Sequence, residues 1–155
     1  MISTIETIEQ PAFYLAGITV RTTNQNGQSI KDIGELWTRF MSGGLLTQIE
    51  ARITDDIYCA YTDYETDHTG FYTTLLGCKV SSLDDQPGGM SGITVPAGKY
   101  HVYSLSGKFP ENVHQAWVEI WNSDIKRAYT VDFDCYGANA KSFAETEVKI
   151  YLAVE

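Results

Sequence analysis

The chain has 155 residues, 20 of them Asp or Glu against 11 Lys or Arg, for a formal net charge of −9. That length favours one domain able to bury a sizeable core, since domains cluster near ~100–150 residues. An acidic chain without a Lys/Arg cluster binds phosphate backbones poorly, which excludes nucleic acid as a direct ligand and otherwise serves solubility.

The opening segment, MISTIETIEQPAF, lacks a basic stretch followed by an apolar run, so it does not read as a signal peptide. No run approaches the ~18 apolar residues of a membrane span. Residues 12–23 are rich in β-formers and predict a strand. The period then changes over 30–41, where Ile30, Ile33, Leu36, Trp37, Phe40 and Met41 fall on one helical stripe. Ser29 and Asp32 resemble a capping box before this helix, and Gly43-Gly44 supply its stop. Strand-like runs follow at 57–64 and 70–81, joined by the polar turn at 65–69. The stretch 82–98 carries Pro87, Gly88, Gly89 and Gly92 and reads as a connector.

Beyond the connector the pattern begins again. Residues 99–107 predict a strand. A helix follows from Pro110, with Val113, Ala116, Trp117, Ile120 and Trp121 as its apolar stripe. Strands are expected again at 130–137 and 146–154. The order is βαββ, a connector, then βαββ, and the halves share local text. Pro11-Ala12 matches Pro96-Ala97, Trp37 matches Trp117, and Tyr58-x-x-Tyr61 matches Phe133-x-x-Tyr136. An internal duplication is expected within a single 1–155 domain, with repeat 1 at about 1–82 and repeat 2 at about 95–155. The fold class is α+β: two fused βαββ units pairing into one antiparallel sheet, with both helices on one face. Cys59, Cys78 and Cys135 form no CxxC pair and sit in strand-like runs, as buried thiols of a reducing, cytoplasmic compartment do.

Side-chain alternation sorts the last two strands. Val131, Phe133 and Cys135 point one way, and Asp132, Asp134 and Tyr136 the other. Val148, Ile150, Leu152 and Val154 share a face opposite Glu147, Lys149, Tyr151 and Ala153. The purely apolar faces are expected to pack on the helices. That leaves acids and tyrosines on the opposite side, with Tyr61 and Tyr103 from neighbouring strands. Such a surface suits an amphipathic ligand: a tyrosine ring attracts cations and a carboxylate fixes the charge. The bland alternative is a solvated sheet face, where tyrosine occurs because it suits strands.

The segment VPAGKYHVYSLSGKFPENVHQAWVEIWN, followed by VDFDCYG and EVKIYLAVE, resembles the GyrI-like small-molecule-binding domain. This is also the effector-binding domain of some AraC-type and MerR-type regulators. The resemblance rests on Pro96-Ala97-Gly98-Lys99-Tyr100, the turn glycine Gly107, the paired Trp117 and Trp121, Phe133-Asp134-Cys135-Tyr136, and Ile150-Tyr151-Leu152-Ala153-Val154. It implies a duplicated βαββ fold of the SHS2 type, with a ligand pocket on the sheet face away from the helices. It also implies that Asp134, where the family usually carries Glu, pairs with a cationic aromatic ligand, and that Tyr136 and Tyr151 line the pocket. Ala153 stands where many members carry Pro.

The function expected is a stand-alone binder of amphipathic, cationic aromatic small molecules. Asp134 would neutralise the charge, with Tyr136, Tyr151, Trp121, Tyr61, Tyr103 and Glu147 around it. No cofactor or metal is expected; His68, His101 and His114 lie on different elements without ligand spacing. A separate regulator or protein target would read the bound state. One alternative is a hydrolase that opens reactive cyclopropane-type natural products, with Asp134 or Glu147 as general base. Another is a protein-binding inhibitor module acting through Asp55, Asp56, Asp63, Glu65 and Asp67.

Overall fold

The computed structural model describes residues 2–105, 110–137 and 147–155, so the expected turn at Gly107 lies outside the described residues. The elements run β1 (Ile2–Gln10), β2 (Phe13–Thr23), α1 (Gln28–Ser42), β3 (Ile57–Thr62), β4 (Phe71–Val80), β5 (Ser91–Val95), β6 (Gly98–Leu105), α2 (Glu111–Trp121), β7 (Asp132–Tyr136) and β8 (Val148–Ala153). The α+β class holds, with one eight-stranded antiparallel sheet and both helices on one face. Each expected element is present. Strands β1 and β5 are additional: the isoleucines of β1 recur every third residue and match neither period, while β5 lies inside the glycine-rich connector.

The sheet order is β1-β6-β8-β7-β3-β4-β2-β5. It reads the same in reverse when β1–β4 are exchanged with β5–β8. Each half lends its first strand to the other, because β1 pairs with β6 and β5 with β2. Strands β3 and β7 meet at the centre, where the halves join.

On α1, Leu36 and Phe40 are buried against Ala16, Ile18, Cys59 and Leu76, with Ile33 and Trp37 packed beside them. Ile30 and Met41 remain exposed. On α2, Ala116, Trp117 and Ile120 pack on Tyr103, Ile150 and Leu152. The capping box does not form. Ser29 lies inside α1, and Asp32 Oδ2 instead accepts hydrogen bonds from Thr22 and Gln28, at 2.9 and 3.2 Å. Gly43 and left-handed Gly44 do end the helix.

The face assignment needs correction. Alternation within β7 and within β8 is as expected, but the ladder register sets Asp134 opposite Ile150 and Phe133 opposite Tyr151. Asp132, Asp134 and Tyr136 therefore share the helix-covered face with Val148, Ile150 and Leu152. Phe133 lies on the other face, which is buried without any helix because the sheet curls onto it. Phe13 on β2 and Phe133 on β7 have two strands between them, a separation of ~14 Å in a flat sheet. Their ring centroids are nevertheless 5.4 Å apart, and Tyr100 on β6 comes within 5.8 Å of Phe133. Gly17 and Gly77 face each other across β2 and β4, where a Cβ on either would overlap the other strand's backbone. Glycine at both positions permits that close approach.

Candidate functional site

Between the two helices, on the central strands, lies a cavity of about 590 Å³. That is within the ~300–1,000 Å³ typical of small-molecule sites. One wall is the face of α1 carrying Ile30, Ile33 and Trp37; the other is α2 with Val113, Trp117 and Trp121. The floor holds Tyr61 of β3, Tyr72 of β4 and Tyr136 of β7. Tyr64 and His68 from the β3–β4 loop and Arg127 after α2 complete it. All three tryptophans of the chain line this space. The ring of His68 stacks on Trp121, with centroids 5.9 Å apart and planes within 6°, so the loop of one half closes on the helix of the other. Burial lowers the His68 pKa, which favours the neutral ring in that stack.

Asp134 sits directly beneath the aromatic floor and is fully buried. Its Oδ2 accepts hydrogen bonds from the Tyr61 and Tyr136 hydroxyls, at 2.6 and 3.3 Å. Its Oδ1 accepts from Trp117 Nε1 at 3.1 Å. All three donors belong to the cavity wall. Among the described residues no cationic side chain pairs with this carboxylate. Burial pushes its pKa up to about 7, against the pull of the three donors, and the charge of Asp132 adds to the rise. Burial also raises Tyr61 and Tyr136 well above the ordinary phenol range, so both remain protonated donors.

A second buried acid, Asp132, is neutralised within the fold. Arg127 Nη2 donates to its Oδ2 at 2.9 Å, the Tyr64 hydroxyl to the same oxygen at 2.5 Å, and the Ala153 backbone N–H to Oδ1 at 2.7 Å. The guanidinium lies over the Tyr129 ring at 4.4 Å, with Trp117 and Tyr64 at 5.6 and 5.8 Å. Burial nonetheless holds the Asp132 pKa above its ordinary value, with Arg127 pulling against it.

The Cass2 family model, described as an integron-associated effector binding protein, matches residues 5–154. The chain belongs to the Cass2 family. This bears out the resemblance to GyrI-like effector-binding domains, and the chain is an effector-binding-type domain. Among its relatives, YobU of Bacillus subtilis (strain 168), named as a candidate transcriptional regulator, is 36% identical over 124 residues. That match covers 78% of this chain and 76% of YobU. The integron cassette protein VCH_CASS2, from the mobile metagenome of Vibrio cholerae, superposes with a TM-score of 0.76 at 31% identity, covering 99% of this chain and 97% of that one. SAV2435 bound to tetraphenylphosphonium shares the fold, with a TM-score of 0.81 at 18% identity and coverage of 99% and 94%.

In this Cass2-family cavity the structure brings together Asp134, Tyr136, Tyr61 and Trp121 of the expected site residues. Three others lie elsewhere. Tyr151 is on the opposite face, stacked on Phe133 with centroids 4.6 Å apart. Tyr103 is buried under α2 outside the cavity wall, and Glu147 is exposed beyond the sheet. The pocket expected on the face away from the helices is instead on their own face, because the curl fills the other side with rings. His68, half-buried, and His114, exposed, both line the cavity. The Asp132–Arg127 pair and Tyr64 were not foreseen; an Arg five positions before a buried-strand Asp is a weak signal on its own. Of the acidic patch, Asp55 pairs with Arg52 at 3.0 Å and Asp67 accepts from Thr69 within its own turn. No helix among the described residues is long and apolar enough to cross a membrane.

Proposed function

We propose that this protein binds lipophilic aromatic organic cations in the cavity between α1 and α2. The observation that carries this is Asp134: a fully buried carboxylate without a cationic partner among the described residues, under a floor of the rings that hydrogen-bond to it. An ionised carboxylate out of water is costly unless a charge compensates it, and a cation seated on the floor does so. Tyr61, Tyr136 and Trp117 take the apolar body of the ligand. Their faces add cation–π attraction of up to ~2 kcal/mol once water is displaced. That the similarly folded SAV2435 holds tetraphenylphosphonium is consistent with a cavity of this shape taking such a cation.

The test uses a pair of ions of nearly the same shape and opposite charge, followed through the fluorescence of the three cavity tryptophans. Tetraphenylphosphonium is expected to quench saturably, and tetraphenylborate to bind at least about tenfold more weakly, a difference of roughly 1.4 kcal/mol. Equal binding of the two ions would overturn the reading.

A further inference from the structure

Much of the polar wall of the cavity is committed to the fold. The Tyr61 and Tyr136 hydroxyls and the Trp117 indole serve Asp134, and the Tyr64 hydroxyl serves Asp132. Tyr72 donates to Asn24 Oδ1 at 2.6 Å, and Asn24 Nδ2 donates to the His68 backbone carbonyl at 2.9 Å. Glu111, His114 and Gln115 are exposed on α2, where water supplies their partners. His68 differs from both groups. Its ring lines the cavity half-buried, and among the described residues neither ring nitrogen makes a hydrogen bond.

The ring is also held in place. Its parallel stack on Trp121 fixes the plane. Asn24 and Gln25 pin the carbonyls of His68 and Thr69, at 2.9 and 2.8 Å. Trp121 lies one helical turn, ~6 Å, beyond Trp117, whose indole bonds to Asp134. A preorganised imidazole thus stands beside the cation floor, about one aryl ring away. Burial keeps it neutral, so it offers one N–H donor and one lone-pair acceptor. A purely apolar cation that seals the cavity strips water from these nitrogens and puts nothing in its place, whereas a ligand hydroxyl replaces it.

We propose that His68 is a ligand-binding residue and that the ligand is an aromatic cation bearing a hydroxyl, with the cation over the Asp134 floor and the hydroxyl on the His68 imidazole. This rests on the cation reading above and narrows its ligand class.

The 4-hydroxymethylphenyl and 4-ethylphenyl derivatives of triphenylphosphonium separate the two ideas. They carry the same charge and differ by one O–H in place of one CH3. At pH 8 the wild-type protein is expected to bind the alcohol at least as tightly as the more apolar ethyl ion. His68→Phe keeps a flat ring beside Trp121 but has no ring nitrogen, and should favour the ethyl ion. The ratio of the two dissociation constants is expected to shift by about tenfold between the proteins, as befits one hydrogen bond. Taken as a ratio within each protein, the shift is insensitive to any general loss of affinity in the variant. The same ratio in wild type and His68→Phe overturns the subsite and leaves the cation reading standing. So does a wild type that favours the ethyl ion tenfold or more, a measurement that needs no variant to fold. If neither ion binds the wild type, the cation reading falls and takes this one with it.

Discussion

Arg127→Met is expected to destabilise the protein by about 3–5 kcal/mol, the usual consequence of stranding one member of a buried ion pair. Asp132 is fully buried, and without Arg127 its carboxylate retains, among the described residues, the Tyr64 hydroxyl and the Ala153 N–H. The variant also loses the slab of guanidinium packed over Tyr129 and beside Trp117, which methionine fills only in part. Chemical denaturation should show the midpoint falling with an unchanged slope. Adding Asp132→Asn should recover much of the loss, because an amide oxygen can still accept from Ala153 and no charge is left behind. A single variant as stable as the wild type would show that the pair is not closed as described.

The second large effect concerns Asp134 and pH. An aspartate in the unfolded chain titrates near ~3.9, whereas in the fold burial moves Asp134 to about 7. Between these values the unfolded chain has released its proton and the folded protein has kept it. The folded state then binds more protons, so stability falls as pH rises through this window and levels off above the folded value. The linkage amounts to a loss of about 2–3 kcal/mol between pH 5 and pH 8 from this one group. Asp134→Asn removes the titration. The difference in unfolding free energy between variant and wild type should therefore shift in favour of the variant by that amount as pH rises from 5 to 8. A difference that does not move with pH would mean Asp134 titrates in its ordinary range.

Both effects arise from the same strand, whose alternation was legible in the sequence. Val131, Phe133 and Cys135 separate from Asp132, Asp134 and Tyr136 by parity alone, and the helices and six of the strands follow from period and turn residues. Orientation was not legible, for two physical reasons. Which face of β8 joins which face of β7 is set by register, and a register belongs to the pair rather than to either strand. The rule that the apolar face seeks the helices also assumes a flat sheet. Here curling around Phe133 buries that face unaided, and the acids go under the helices with hydroxyls, an indole N–H and a guanidinium to receive them. Asp134, Tyr136 and Tyr61 share one face of the central strands, and the register turns that face toward the helix carrying Trp121, so the four meet at the cavity. The same register leaves Tyr151 on the opposite face, stacked on Phe133.

The central claim is that the ionised Asp134 is what draws a cation into the cavity. It is tested most directly by the dissociation constant of tetraphenylphosphonium across pH 5.5 to 8.5, for the wild type and for Asp134→Asn. Binding to the wild type should tighten with rising pH, approaching tenfold per unit below the midpoint and levelling near pH 7, where Asp134 loses its proton. The variant should bind weakly and without that dependence. A flat wild-type profile, or a variant that binds as tightly as the wild type at pH 8, would contradict the account.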